Sequence, residues 1–153
     1  MIVNNFEEDH KKTLVEISNL ETTLNQIQTN DDFQKNKPNL EKTAKHFDEL
    51  LNHFKKEEVV FDKLEEKGVS GPVEVMREEH DEMKEKAQEF ATLVKNKKPG
   101  DEELNKLKYT AKYLMEMIKS HIEKEEMIIY PLCMEKLSEE DWKECEEKAE
   151  AKE

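Results

Sequence analysis

The chain has 153 residues, enough for one domain with a single core and too few for two of ordinary size. Its formal charge of −13 repels phosphate backbones and anionic headgroups, which excludes nucleic acid and membrane surfaces as natural partners and leaves cations as the ligands such a surface attracts. Only three glycines and four prolines interrupt a background rich in Glu, Lys, Leu and Met, so a mostly helical fold is expected. No apolar run approaches the roughly 20 residues needed to span a bilayer. The start, MIVNNFEEDH, has no basic stretch followed by an apolar one, so a cytoplasmic location is expected.

In chain order, helical periodicity predicts a first helix from about Asn5 to Thr29, with His10, Leu14, Ile17, Leu20 or Leu24, and Ile27 on one stripe. The polar stretch TNDDFQKNKPN should end it. A second helix is predicted to open near Pro38 and to carry Leu40, Ala44, Phe47, Leu50, Phe54, Phe61 and Leu64 to a stop at Gly68. The third opens at Ser70-Gly71-Pro72, presents Val73, Met76, Met83, Ala87, Phe90 and Val94, and closes at Pro99-Gly100. The fourth runs from an N-cap at Asp101 through Leu104, Leu107, Ala111, Leu114, Ile118, Ile122 and Ile129 to Pro131, which should kink or end it. A short fifth helix follows a capping box at Ser138 and is anchored by Trp142. The expectation is an all-α, antiparallel up-down-up-down four-helix bundle with a short C-terminal helix. Residues 1–145 form the bundle and residues 146–153 a charged tail that frays.

Four of the five histidines fall into a repeated pattern. Helix 2 reads HFKKEEVVF from His53 and helix 4 reads HIEKEEMII from His121, each a His with Glu four and five residues later and then three apolar residues. His10 in EEDHKK and His80 in REEHDE sit near the starts of helices 1 and 3. Since 30 of the 153 residues are Glu, one His-x-x-x-Glu spacing carries little information; two copies of the longer motif carry much more. In an antiparallel bundle with short loops, His10, His53, His80 and His121 lie at similar distances from shared ends and converge in one half of the interior. Glu57 and Glu125, four residues after their histidines, share their faces. Burying carboxylates and imidazoles without partners is costly, and a bound cation removes the cost. Mixed imidazole and carboxylate donors suit iron, manganese or zinc, and four His with two Glu satisfy two ions more easily than one.

These motifs resemble the hemerythrin-like, HHE cation-binding domain over about residues 5 to 145. The resemblance rests on HFxxEE in helix 2, HIxxEE before an apolar-aromatic-Pro stretch in helix 4, and single histidines opening helices 1 and 3. It implies a carboxylate-bridged pair of non-haem irons held by His10, His53, Glu57, His80, His121 and Glu125, with Glu57 and Glu125 as bridges and Glu126 as the competitor of Glu125. Zinc or manganese could occupy the same donors. Oxygen-carrying members have a second helix-3 His where this chain has Met76, which argues against reversible oxygen carriage and for a more open or sensory site.

The function expected is therefore metal binding, with O2, peroxide or NO bound or sensed, or iron handled, and with any signalling partner unassigned. A di-iron oxidase or peroxidase is the alternative, although only Glu7/His10 has the Glu-x-x-His spacing of ferritin-like oxidases. A metal-free interaction bundle is the third reading. His46 is expected to pack or hydrogen-bond rather than ligate. Cys133 and Cys145 read as reduced bystanders, and Tyr109, Tyr113 and Tyr130 as bundle packing that could also tune the site.

Overall fold

The computed structural model describes residues 2–151. Four long helices, α1 (Ile2–Asn25), α2 (Asn30–Glu66), α3 (Gly71–Val94) and α4 (Asp101–Lys124), run antiparallel through short turns. A π-helical turn (Glu125–Ile129) carries α4 directly into α5 (Tyr130–Lys136), and α6 (Glu139–Glu150) packs back on α2. Consecutive long helices are neighbours and α1 also meets α4, which closes the square of an all-α bundle. No helix among the described residues is long and apolar enough to cross a membrane.

The apolar stripes of α3 and α4 are buried along their predicted length. On α1 His10, Ile17, Leu20 and Leu24 are buried as predicted, as is Ile27 just beyond it, while Leu14 is exposed and Thr13 takes its place in the stripe. The start of α2 also differs. The stretch read as a loop is helix from Asn30, because Thr29 caps it reciprocally with Asp32 and fully buried Phe33 anchors the first turn. Pro38 consequently lies inside α2, two turns from its start, where it has no N–H to donate to the carbonyl of Gln34. At the other end, Gly68 (φ 90°) closes α2 with hydrogen bonds from Gly68 N to Glu65 O and from Val69 N to Leu64 O, both 3.0 Å.

Pro131 does not end the helical path. A proline ring clashes with the carbonyl four residues back. The five residues before it are wound as a π turn instead, in which Tyr130 N bonds Glu125 O. Such a turn takes in one extra residue, so Tyr130 returns to the face that carries Glu125. The C-terminal segment is more ordered than its charge suggests. Helix α6 continues to Glu150 with Trp142, Cys145 and Ala149 buried, and ion pairs from Lys63 to Glu144 and from Lys67 to Asp141 fasten it to α2.

Two apolar clusters fill the interior. One joins the second half of α1 and the first half of α2 to α3 and α4 and includes Phe47, Phe90 and Leu107. The other joins the starts of α1 and α3 and the end of α2 to the π turn, α5 and α6, and includes Phe6, Phe61, Met76 and Trp142. Between them lie His10, His53, Glu57, His80, His121 and Glu125, which belong to neither.

Gly68→Ala should cost about 1 kcal/mol, the price of a side chain at a left-handed backbone position, and lower the denaturant midpoint. An unchanged midpoint would show that the turn relaxes at no cost.

Candidate metal centre

The layer between the apolar clusters gathers all six residues singled out from the sequence. His10 comes from α1, His53 and Glu57 from α2, His80 from α3, His121 from the last turn of α4, and Glu125 from the head of the π turn; every one is buried. The imidazoles pair by halves, with ring centroids 5.1 Å apart for His10 and His53 and 4.7 Å apart for His80 and His121. The two carboxylates reach both halves. Glu57 Oε1 lies 3.3 Å from Nε2 of His53 and 3.3 Å from Nε2 of His80. Glu125 Oε1 lies 3.1 Å from Nε2 of His121 and 3.3 Å from Nε2 of His10. Two overlapping donor groups result, one of His10, His53, Glu57 and Glu125 and one of Glu57, His80, His121 and Glu125, with the atoms of each group within 4.8 Å of one another.

The outward nitrogen of each ring is held by a second carboxylate. Nδ1 of His53 donates to Asp9 (3.0 Å), of His80 to Glu58 (3.2 Å), of His121 to Glu79 (2.9 Å) and of His10 to Glu126 (2.8 Å). These bonds form a directed cycle, because the acid on α1 braces the ring of α2, that on α2 the ring of α3, that on α3 the ring of α4, and that on the π turn the ring of α1. With Nδ1–H so engaged, each neutral imidazole turns its Nε2 lone pair inward, the arrangement by which carboxylates orient metal-binding histidines. Arg77 steadies the brace on His80 by binding Glu58, Asp62 and Glu65 together. Lys124 does the same for Glu79.

Inside the ring, His53 Nε2, Glu57 Oε1, His80 Nε2, His121 Nε2 and both carboxylate oxygens of Glu125 are buried without a hydrogen-bond partner. A buried polar group left unsatisfied costs about 1–3 kcal/mol, and more when charged. Several of them aimed at one space is a burden no packing role offsets. A cation accepts those lone pairs directly, so the donor set fits a metal ion of the kind that imidazole and carboxylate share.

Without metal, protons take up part of this charge. Burial pulls the His53 imidazolium down, but the charge of Glu57 and the bond to Asp9 outweigh it and lift its pKa to about 10. His80 is carried to about 9, as its contacts with Glu57 and Glu58 overcome the same burial. His10 is also raised, against burial, by Glu125 and Glu57. Burial pushes Glu57 up while the neighbouring His53 pulls harder, so its carboxyl sits well below the usual range.

Glu126, the competitor of Glu125, is 42 % exposed and binds the outer nitrogen of His10 instead of entering the pocket. Glu7 lies on the exposed face of α1, so its Glu-x-x-His spacing builds nothing here. His46 bonds Thr13 (2.9 Å) outside both donor groups. Cys133 and Cys145 are buried free thiols that join neither group. Met76 packs in the lower apolar cluster and brings no nitrogen. Asp9, Glu79 and Tyr130 are functional-site neighbours that sequence reasoning passed over or left to packing. The signal for the acids was adjacency: Asp9, Glu58, Glu79 and Glu126 each stand next in sequence to a pocket residue, about 100° round the helix, where they meet the adjoining helix. Tyr130 donates to Glu57 Oε2 at 3.1 Å, and its ring stacks on His10 at 5.9 Å between centroids.

A family model described as the hemerythrin HHE cation binding domain matches residues 1–133. The chain belongs to this family. No curated protein and no solved structure matches it. In this hemerythrin domain α6 lies beyond the matched residues, yet it covers the apolar cluster beneath the site.

The raised imidazoles contribute stability that is complete below about pH 6.5, where the unfolded chain also binds those protons, and that is lost as pH climbs through about 9 and about 10. The depressed Glu57 contributes stability that is complete above pH 4.5 and lost as pH falls toward its folded value. The thermal midpoint of the metal-free hemerythrin domain should therefore decline between about pH 6.5 and 10. A flat profile across that window would mean the folded imidazoles are neutral.

Proposed function

We propose that this hemerythrin domain binds two non-haem iron ions through His10, His53, His80, His121, Glu57 and Glu125, with the two glutamates shared between them, and that it binds or senses a small oxidant such as O2, peroxide or NO. One observation carries the reading: buried, unpartnered imidazole nitrogens and carboxylate oxygens from α2, α3, α4 and the π turn face a single space, with His10 of α1 beside them. The sharing of Glu57 and Glu125 by both donor groups supports two ions rather than one. Met76, an apolar side chain where oxygen-carrying relatives have a further histidine, supports an open position for an exogenous molecule over reversible carriage. Iron bound there supplies redox chemistry and a Lewis-acidic centre. The chain itself holds the donors in place, fixes the imidazole tautomers through the carboxylate cycle and walls the pocket with aromatic rings. Binding requires the neutral Nε2 of each ring, so metal uptake should release protons and weaken as pH falls.

Protein loaded anaerobically with ferrous iron should hold about two metals per chain, and its absorption should change on exposure to air or NO. His53→Ala and His121→Ala, one from each half, should each lower the iron content. A chain that takes up no iron, or variants that take up as much as the original, would sink the assignment. Removing a brace, as in Asp9→Ala or Glu79→Ala, should weaken metal affinity by about 10- to 100-fold while the fold persists. Titration against a competing chelator measures that loss, and an affinity within twofold of the original would show that the outer carboxylates do not orient the rings.

A further inference from the structure

The two halves of the pocket are matched in imidazoles and carboxylates but not in what lies beside them. Next to His80 stand two aromatic hydrocarbon rings, Phe54 stacked at 4.1 Å and Phe61 at 5.4 Å between centroids. Next to His10 stands Tyr130, whose hydroxyl oxygen is 3.4 Å from His10 Nε2 and 3.1 Å from Glu57 Oε2. Donors bound at about 2.1 Å to one ion stand roughly 3 Å apart when adjacent and roughly 4 Å apart when opposite. The phenolic oxygen is within that range of two members of the His10/His53 group. It has no comparable contact with His80 or His121.

We propose that Tyr130 is a seventh metal-binding residue, its phenolic oxygen completing the His10/His53 half of the pocket and making the two metal positions chemically unequal. The inference rests on the two-iron reading above. The side chain is built for a fixed position rather than for filling space. Its ring lies nearly parallel to His10 (8°) and against Phe6 at 6.3 Å, it is buried, and the π turn swings residue 130 onto the face that carries Glu125. A buried tyrosine needs one hydrogen-bond partner, which Glu57 provides in the metal-free protein. When ferric iron enters, the hard, anionic phenolate is a matching donor, and the phenolic proton is released to solvent with the others displaced by metal. The His10/His53 position then has five protein donors and the His80/His121 position four. An exogenous small molecule is thereby directed to the second, beside Phe54 and Phe61.

The test needs no turnover. Protein loaded with ferrous iron and oxidised in air should show a visible phenolate-to-iron(III) charge-transfer band, and resonance Raman excitation within it should enhance tyrosinate ring modes. Tyr130→Phe keeps the ring and its stacking, and it should retain about two irons per chain while losing the band and those modes. If the wild-type protein holds two irons without tyrosinate modes, or if Tyr130→Phe keeps them, phenolate ligation is overturned and the two-iron reading stands. If the wild-type protein takes up no iron, the two-iron reading fails and the role of Tyr130 falls with it.

Discussion

Two carboxylates enclosed at the centre of a helical bundle, with three of their four oxygens lacking a hydrogen-bond donor, set the terms for the rest of this structure. Glu57 and Glu125 are completely enclosed, and the imidazole nitrogens beside them are close without being bonded. Desolvating such ions costs several kcal/mol each. The arrangement survives because apolar clusters above and below supply the folding energy, leaving one polar layer to be neutralised by protons or by metal. With neither present, the buried negative charge is left uncompensated at a cost that packing does not cover.

The outer carboxylates answer a different need. A histidine ring on a helix can rotate about its side-chain bonds, and a metal site requires its lone pair to point one way. Here each ring is held by an acid from the preceding helix of a closed cycle, so the orientation of one helix's donor depends on its neighbour's position. The economy lies in sequence adjacency. One residue of a pair such as Asp9-His10 or Glu57-Glu58 faces the pocket, and the other reaches sideways to the next helix. Arg77 and Lys124 then balance the acids from outside, which ties a strongly acidic surface into the support of an interior site.

The two ends of the site are closed by local backbone devices. The π turn accommodates Pro131 without a break and sets both Glu125 and Tyr130 toward the interior, a combination that regular α-helical winding does not allow. Helix α6 covers the lower apolar cluster with Trp142, Cys145 and Ala149. Its ion pairs to α2 explain why a segment of such high charge remains helical.

The helical class, the apolar stripes of α3 and α4, and the six pocket residues were legible in the chain, because an i, i+4 His–Glu spacing on an amphipathic helix dictates which face both occupy. The start of α2 was misread, since Pro38 is a conspicuous punctuation mark whereas Thr29 and Asp32 act only as a pair. Periodicity assumes a constant number of residues per turn, so it could not foresee the π winding or the inward position of Tyr130. Nor could it assign the braces. Glu58 and Glu126 read either as solvent-facing or as outer supports of the site, and Asp9 and Glu79 as ordinary acids of a first turn. Sequence spacing fixes rotation about one helix axis; which acid meets which ring depends on how two helices are set against each other, and only the packed bundle decides that.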